Sequence, residues 1–284
     1  IVVDDNSPQN EKKIVKENYK KKQNLFVISL EKNQGVGGAT LAGYKKAIKI
    51  NEVKYIFKID GDDQMNHNYM PKMLKILYEG ADYIKGNRFK SYLAFHNMPV
   101  LRIFGNIIYS FLTKLSSGFY HIGDAHNGYT CIKKDICKKI LQFKISKRYF
   151  FEPDFLYHLY NLNAKVKDIH MNAIYKNEIS NVNYLEAIVL FPLLHIKNFY
   201  RRIILNYLLR DFSFASVCFF MGFFSFLYST IFLLYNNYIN FSQNQQTPVG
   251  TIVLGTTILI LSFQMLIIFF SIDYQKSNQI KKNN

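Results

Sequence analysis

Three carboxylates fall within four residues at the end of an apolar run, Tyr55-Ile56-Phe57-Lys58-Ile59-Asp60-Gly61-Asp62-Asp63-Gln64. In extended backbone, residues two apart share a face, so Asp60 and Asp62 are expected to point the same way. Gly61 between them removes a side chain that would crowd a ligand. Carboxylates this close raise one another's pKa unless a cation sits between them. A hard, oxygen-preferring cation such as Mg²⁺ suits the pair, keeping several waters and sharing its remaining sites with phosphate oxygens. A solvated acidic turn is the competing reading, and the stretch by itself leaves both open.

The elements around this turn alternate. Ile1-Val2-Val3 reads as a strand ending in the acidic turn Asp4-Asp5-Asn6-Ser7-Pro8, and a polar helix follows from Glu11 to Lys22. A second strand over Asn24–Leu30 ends at Lys32-Asn33-Gln34-Gly35-Val36-Gly37-Gly38-Ala39, and small and apolar residues carry a helix on to Ile50. After the acidic strand come a helix over Asn68–Glu79 and a strand over Ala81–Lys85 closing on Gly86-Asn87-Arg88. Strand alternating with helix at this spacing predicts an α/β fold with a mainly parallel, doubly wound sheet. Such sheets bind ligands outside the carboxyl ends of their strands. Asp4-Asp5, the glycine turn, Asp60–Gln64 and Arg88 all fall at such ends. Gly35-x-Gly37-Gly38 lacks the third glycine of a dinucleotide fingerprint, and a tight turn that lets a helix pack closely accounts for it. There is no P-loop, and the histidines have no paired ligand spacing.

The chain has 284 residues and a net charge of +16, enough for one large domain or two ordinary ones. No zinc-finger or RNA-binding signature accompanies the charge, so it is not read as a nucleic-acid footprint. Between Asp211 and Asp273 there is no charged residue and no histidine. A soluble domain does not leave such a gap. Two membrane spans are expected, about Phe214–Tyr235 and Val249–Ile272, joined by a polar turn over Asn236–Pro248. Basic residues on both outer flanks (Arg201, Arg202, Arg210, then Lys276, Lys281, Lys282) place those flanks and the preceding domain in the cytoplasm. Before the spans, Ile196, Phe199, Tyr200, Ile203, Ile204, Tyr207 and Leu208 form a helical stripe with Lys197, Arg201 and Arg202 off it, expected to lie in the membrane interface. Cys131, Cys137 and Cys218 match no metal spacing and are expected to stay reduced. The chain starts in mid-strand at Ile1, so the natural N-terminus is expected to be absent.

The ordered set Val3-Asp4-Asp5-Asn6-Ser7-Pro8, Asn33-x-Gly35 with Ala39, Asp60-Gly61-Asp62-Asp63-Gln64 and Gly86-Asn87-Arg88 resembles family-two glycosyltransferases of the GT-A fold. More narrowly it is similar to the membrane-anchored dolichol- or polyprenyl-phosphate sugar synthases. Arg102, Asp124-Ala125-His126-Asn127-Gly128-Tyr129, Phe151-Glu152 and Ser180 continue the likeness over roughly the first 180 residues. The resemblance implies an inverting transfer from a nucleotide-sugar to polyprenyl phosphate at the cytoplasmic face of the inner or plasma membrane. Asp5 would contact the base or ribose, with Asp4, Asn33 and Gly35 on the same nucleotide-sugar side. Asp60, Asp62 and Gln64 would hold Mg²⁺ or Mn²⁺ on the donor diphosphate. Arg88 and Arg102 would meet phosphate, and Asp124 would orient the acceptor loop or, like Glu152 and Asp154, act as base. The resemblance also implies that a first strand with part of the base pocket is missing, and it leaves homo-oligomer formation open.

The chain departs from that pattern at Asn106, where a Ser is usual, and at Tyr175-Lys176-Asn177-Glu178-Ile179-Ser180, where an Arg is lost. It has no Trp and therefore no QxxRW signature of processive synthases. The expected divisions are a catalytic domain over 1–183, juxtamembrane amphipathic helices over 184–211, a transmembrane hairpin over 212–272 and a cytoplasmic tail over 273–284. Two other functions compete: transfer to a hydroxyl of a lipid-linked or envelope glycan, and a degenerate nucleotide-sugar-binding scaffold.

Overall fold

The computed structural model describes residues 1–8, 11–19, 24–89, 100–172 and 186–282. It divides into two compact units, Ile1–Arg202 with Ile280–Asn284, and Ile203–Gln279. In the first unit the order is β1 (Val2–Asp4), α1 (Glu11–Asn18), β2 (Val27–Ser29), α2 (Gly35–Ala47), β3 (Tyr55–Lys58), α3 (Met70–Tyr78), β4 (Tyr83–Asn87), α4 (Val100–Ser117), β5 (Thr130–Lys133), α5 (Lys134–Ile140), α6 (Phe151–Asn161), β6 (Val166–His170) and α7 (Phe191–Ile203).

Four strands form the main sheet in the order β3-β5-β4-β6; β4 and β6 are parallel, and β5 runs antiparallel to both β3 and β4. Three of the four strands thus share a direction, as the sequence predicts, and β5 is the reversed one. Neither β5 nor β6 is among the strands expected from the sequence, and Thr130–Lys133 is buried on both faces with no alternation to mark it. Its register completes two rows: Ile56–Ile132–Tyr83 on one face and Phe57–Cys131–Ile84 on the other. The first row packs on Tyr44 and Ala47 of α2, Cys137 and Ile140 of α5, and Phe151, Phe155 and Leu159 of α6. The second packs on Met73 and Leu77 of α3. Each such side chain, fully buried, contributes about 1.5–3 kcal/mol, and the sheet is covered on both faces.

β1 and β2 form a separate parallel pair, with Val3 opposite Ile28. Among the described residues the other edges of β1 and β3 carry no ladder. A cavity of about 1110 Å³ lies along them, lined by Ile1 and Val3, by Thr40 and Tyr44, and by the run Tyr55–Gly61.

Of the expected stripe, Ile196 and Tyr200 are exposed on helix α7, and Arg202 is the correction. The helix buries Phe191, His195, Asn198 and Arg202 and exposes Leu193, Ile196, Lys197, Tyr200 and Arg201. Arg202, expected at lipid headgroups, is fully buried: Nη2 donates to the Leu115 carbonyl at 2.9 Å, and the guanidinium lies over Tyr160 and Phe199. The last carbonyls of a helix have no intrahelical donor, and a cation there also answers the negative end of the dipole. Arg202 closes the C-terminus of α4 in this way. Ile203 and Tyr207 of the stripe are buried as well.

The second unit holds α8 (Phe214–Ser242) and α9 (Val249–Lys282), both long and apolar enough to cross a membrane. The expected turn over Asn236–Pro248 is shorter than predicted, because α8 runs on through Ser242. The Asn236 and Asn240 amides donate back to the carbonyls of Phe232 and Asn236 at 2.8 and 2.7 Å, so polar residues that suggest a turn here stay helical. At α8's start, Ser213 and Ser216 form a reciprocal capping box. Tyr207 donates to buried Asp273 at 2.7 Å.

Candidate active site

The site grows from two lysines that strand geometry turns inward. Lys58 follows Ile56 by two residues and Lys85 follows Tyr83 by two, so each extends the inward row that packs on α6. A bare ammonium there would be strongly disfavoured. Glu152, in the first turn of α6, answers both: its Oε1 lies 3.0 Å from Lys58 Nζ and its Oε2 3.3 Å from Lys85 Nζ. Lys85 also donates to the Asn127 carbonyl, tying the 124–129 loop to β4. Burial pushes the Glu152 carboxyl up, but the two lysines outweigh it and hold it below the usual range. Burial works to lower Lys58, and Glu152 and then Asp60 raise it above its ordinary value. For Lys85 burial wins over the attraction of Glu152 and Asp124, and it is lowered. The resemblance names Glu152 but neither lysine. A charged residue at the inward parity of a buried strand is the signal that finds them.

Lys58 also holds Asp60, Nζ to Oδ1 at 2.9 Å. Here the expectation from extended backbone is corrected. β3 ends at Lys58, and the acidic residues lie on a turn in which Asp63 takes φ 57°. Asp62 accepts the Gln64 amide through Oδ1 at 3.1 Å. A side chain at Gly61 would meet nothing within 4 Å, so the turn opens on its outer side. Gly128 is the opposite case: a Cβ there would sit 2.2 Å from Asp60 Oδ2 and 2.5 Å from Lys58 Nζ. Its bare backbone lets the loop close over the Asp60–Lys58 pair. Among the described residues no group of three or more His, Cys, Asp or Glu could enclose a metal. The donors do suit a hard cation. Asp60 and Asp62 each commit one oxygen and keep another, so the rest of a shell would come from substrate oxygens and water.

Arg88 leaves the end of β4 and lays its guanidinium along Asp124, Nε to Oδ2 at 2.7 Å, with the carboxylate fully buried. The expected phosphate ligand and the expected orienting residue are thus brought together. Asp5 caps α2: its oxygens accept the amides of Gln34 at 2.8 Å and Gly35 at 2.7 Å. Gln34, the residue at the helix start, supplies no side-chain cap of its own. Asp4 accepts the Ser7 amide at 3.0 Å and so supports the turn. Gly35 takes φ 80°, and a Cβ at Gly37 would sit 2.7 Å from the Lys147 carbonyl and from Phe151. The close-packing account of the glycine turn holds at both. Asn33 is exposed ahead of α2.

The backbone of Arg102 is in α4, but its side chain lies outside the described residues, as do Lys176 and Ser180. Asp154 holds α7 and the loop before α6: its oxygens accept Asn198 Nδ2 at 2.9 Å and the Ser146 amide at 2.7 Å. His126, in the 124–129 loop, is lowered to about 4, with burial outweighing Asp124.

A two-faced α/β sheet, an acidic turn after one strand and a cation–carboxylate network behind it together define a GT-A-like domain followed by two apolar helices. Residues 1–141 match the family described as glycosyl transferase family 2. The chain is 35% identical over 185 residues to an uncharacterised protein of Methanocaldococcus jannaschii, covering 63% of this chain and 77% of that one. It is 32% identical over 163 residues to the UDP-N-acetylglucosamine–dolichyl-phosphate N-acetylglucosaminyltransferase of Methanococcus voltae, covering 52% of this chain and 64% of that one. Among solved structures, glucosyl-3-phosphoglycerate synthase from Mycobacterium tuberculosis is similar with a TM-score of 0.48 and 15% identity, over 71% of this chain and 68% of that one. The chain belongs to glycosyl transferase family 2, and it is a glycosyltransferase.

Proposed function

We propose that this glycosyltransferase moves a sugar from a nucleotide-sugar to a polyprenyl phosphate, with its first unit on the cytoplasmic side of the membrane that α8 and α9 cross. The observation that carries the acceptor is the state of the interior carboxylates. A sugar hydroxyl must lose a proton as it attacks and needs a positioned base. Asp124 is buried and gripped by Arg88, and Glu152 is bonded to two lysines and held ionised with both oxygens used. A phosphate monoester arrives already anionic and needs no base. The similarity to a dolichyl-phosphate N-acetylglucosaminyltransferase supports the same reading.

Asp60 and Asp62, with Gln64 beside them, would hold a divalent metal, which when bound neutralises charge developing on the leaving diphosphate. Lys58 sets the Asp60 carboxylate and Glu152 sets Lys58, so the turn rests on a rigid, charge-balanced base. Asp5 fixes the start of α2 beside Asn33 and Gly35, where the nucleotide would lie. Arg102, the third residue of α4, is the cation this reading assigns to the acceptor phosphate. Both termini of the second unit lie on the cytoplasmic side in this reading.

The test is direct. Membranes carrying the full chain are incubated with a panel of radiolabelled nucleotide-sugars, and the lipid extract is treated with mild acid. Label that enters lipid and is released by the acid as a free monosaccharide supports a sugar phosphate, whereas label released within a larger glycan means a hydroxyl acceptor. Label that survives it means a hydroxyl acceptor, and the acceptor assignment falls.

A further inference from the structure

Asp168 lies on β6, at one end of the main sheet, and no part of the catalytic reading uses it. The parallel register sets Tyr83 opposite Val166, Lys85 opposite Asp168 and Asn87 opposite His170. Residues two apart share a face, so Asp168 and Asn87 stand on the face whose Tyr83 and Val166 pack into the core. Toward the carboxyl ends of the two strands that face changes from apolar to polar. Asn87 is 2% exposed, and a buried amide needs partners for both its donor and its acceptor. Its Nδ2 donates to Asp168 Oδ2, and its Oδ1 accepts the Phe89 amide at 3.0 Å. The same Asp168 oxygen accepts the Gly123 amide at 3.2 Å. Only a glycine fits there, since a Cβ at Gly123 would sit 2.2 Å from Asn87 Nδ2.

Asn87 and Gly123 immediately precede Arg88 and Asp124. A ring therefore closes on one carboxylate oxygen. It runs from Asp168 to Asn87, along the chain to Arg88, across the ion pair to Asp124, back one residue to Gly123 and on to Asp168. Asn87 reaches Arg88 by a second route, because the Phe89 whose amide it holds has its ring 5.6 Å from the guanidinium. The ion pair alone would fix the two side chains to each other and leave their shared direction to a strand end and a loop. Direction matters, because a guanidinium binds phosphate through a planar fork. An error of about 1 Å in a substrate-positioning group can cost about 10²-fold in rate. We infer that Asp168 is a positioning residue for sugar transfer: by holding Asn87 and Gly123 it sets the backbone from which Arg88, paired with Asp124, is aimed at a substrate phosphate. The inference rests on the reading that Arg88 meets such a phosphate.

A double-mutant cycle on the full chain in membranes tests it. The variants are Asp168→Ala, Asp168→Asn, Arg88→Lys and the double Asp168→Ala/Arg88→Lys. Transfer of label to membrane acceptors is measured with the radiolabelled nucleotide-sugar that the panel above shows the parent to use, and kcat/KM is normalised to the protein present. Asp168→Ala should lower kcat/KM about tenfold. Asp168→Asn keeps an acceptor oxygen in place and should stay within about threefold of the parent. Arg88→Lys should be impaired by itself, and adding Asp168→Ala to it should change the rate less than about twofold, because the fork that Asp168 aims is already gone. If Asp168→Ala does not accumulate in membranes, Asn87→Ala opens the same ring from the other side and takes its place in the cycle. Parent-like transfer by Asp168→Ala, an undiminished loss in the Arg88→Lys background, or an Asp168→Asn variant as poor as Asp168→Ala would each overturn the inference and leave Arg88 in its role. Parent-like transfer by Arg88→Lys would remove the phosphate role of Arg88, and the inference with it.

Discussion

The Arg88 guanidinium and the Arg88 backbone amide bond the same buried carboxylate, that of Asp124: Nη2 reaches Oδ1 at 3.2 Å and the amide reaches Oδ2 at 3.2 Å, beside the shorter bond from Nε. The strand end and the 124–129 loop are therefore locked by one residue pair. Arg88→Ala would strand a buried charge and should cost about 3 kcal/mol. Adding Asp124→Asn should recover part of that loss, and Arg88→Lys should not replace the two-pronged grip. Urea unfolding of the detergent-solubilised variants measures all three. An Arg88→Ala protein as stable as the parent would show that the pair does no structural work.

Asp62→Asn should lower sugar transfer by roughly 100-fold or more, about 3 kcal/mol of charge stabilisation. The variant should remain folded and membrane-bound. Titration with Mn²⁺ followed by electron paramagnetic resonance should show weaker binding in step with the lost activity. Normal transfer by the variant, or by the parent protein in excess EDTA, would remove the metal from the scheme.

Acid should weaken the first unit before it reaches the carboxylates. Burial lowers His126 to about 4 and His195 to about 3. Each folded value lies below the unfolded one, so both rings stay neutral in the fold and protonation favours unfolding. Their stability is complete above the unfolded value of about 6.5 and falls as pH drops from there, by up to about 1.4 kcal/mol per pH unit for each ring. Glu152 is depressed instead, and its contribution fades only at still lower pH. Melting temperatures at pH 7.5, 6.5 and 5.5 should decline, and His195→Gln should flatten the lower part of the curve. A parent curve flat across this range would contradict the burial of both rings.

Only the short connection after α8 should face away from the cytoplasm. A cysteine at Asn244 should react with an impermeant thiol reagent in intact cells, and one at Lys197 should not. Cys131 and Cys137 add no background, since burial pushes both thiols up to about 12. The opposite labelling pattern would invert the orientation and cut the domain off from cytosolic nucleotide-sugar.

What the sequence made legible follows the kind of signal each part carries. The Tyr55–Lys58 strand with its acidic turn, the alternating strands and helices and the uncharged 212–272 segment are local patterns, and the structure shows each of them. Strand β5 was not legible at all, because Thr130–Lys133 is four residues long and buried on both faces, with no polar–apolar alternation to mark it. The Lys58–Glu152–Lys85 network is non-local. It joins residues up to 94 positions apart, and only the pairing of β3, β5 and β4 brings them together. Arg202 misled because a basic residue beside apolar ones reads as interfacial until the free carbonyl of Leu115 is known. The cap that Asp5 places on α2 was out of reach in the same way, since the helix start lies 29 residues further on.

The 124–129 loop couples the acidic turn to a strand end that the turn does not touch. The loop is pinned at Asp124 by Arg88 and at Asn127 by Lys85, and it passes as bare backbone at Gly128 over the Asp60–Lys58 pair. A displacement of the β4 end is therefore passed along the loop to Asp60 with no change in the turn itself. The loop works as a lever whose short arm is one glycine wide.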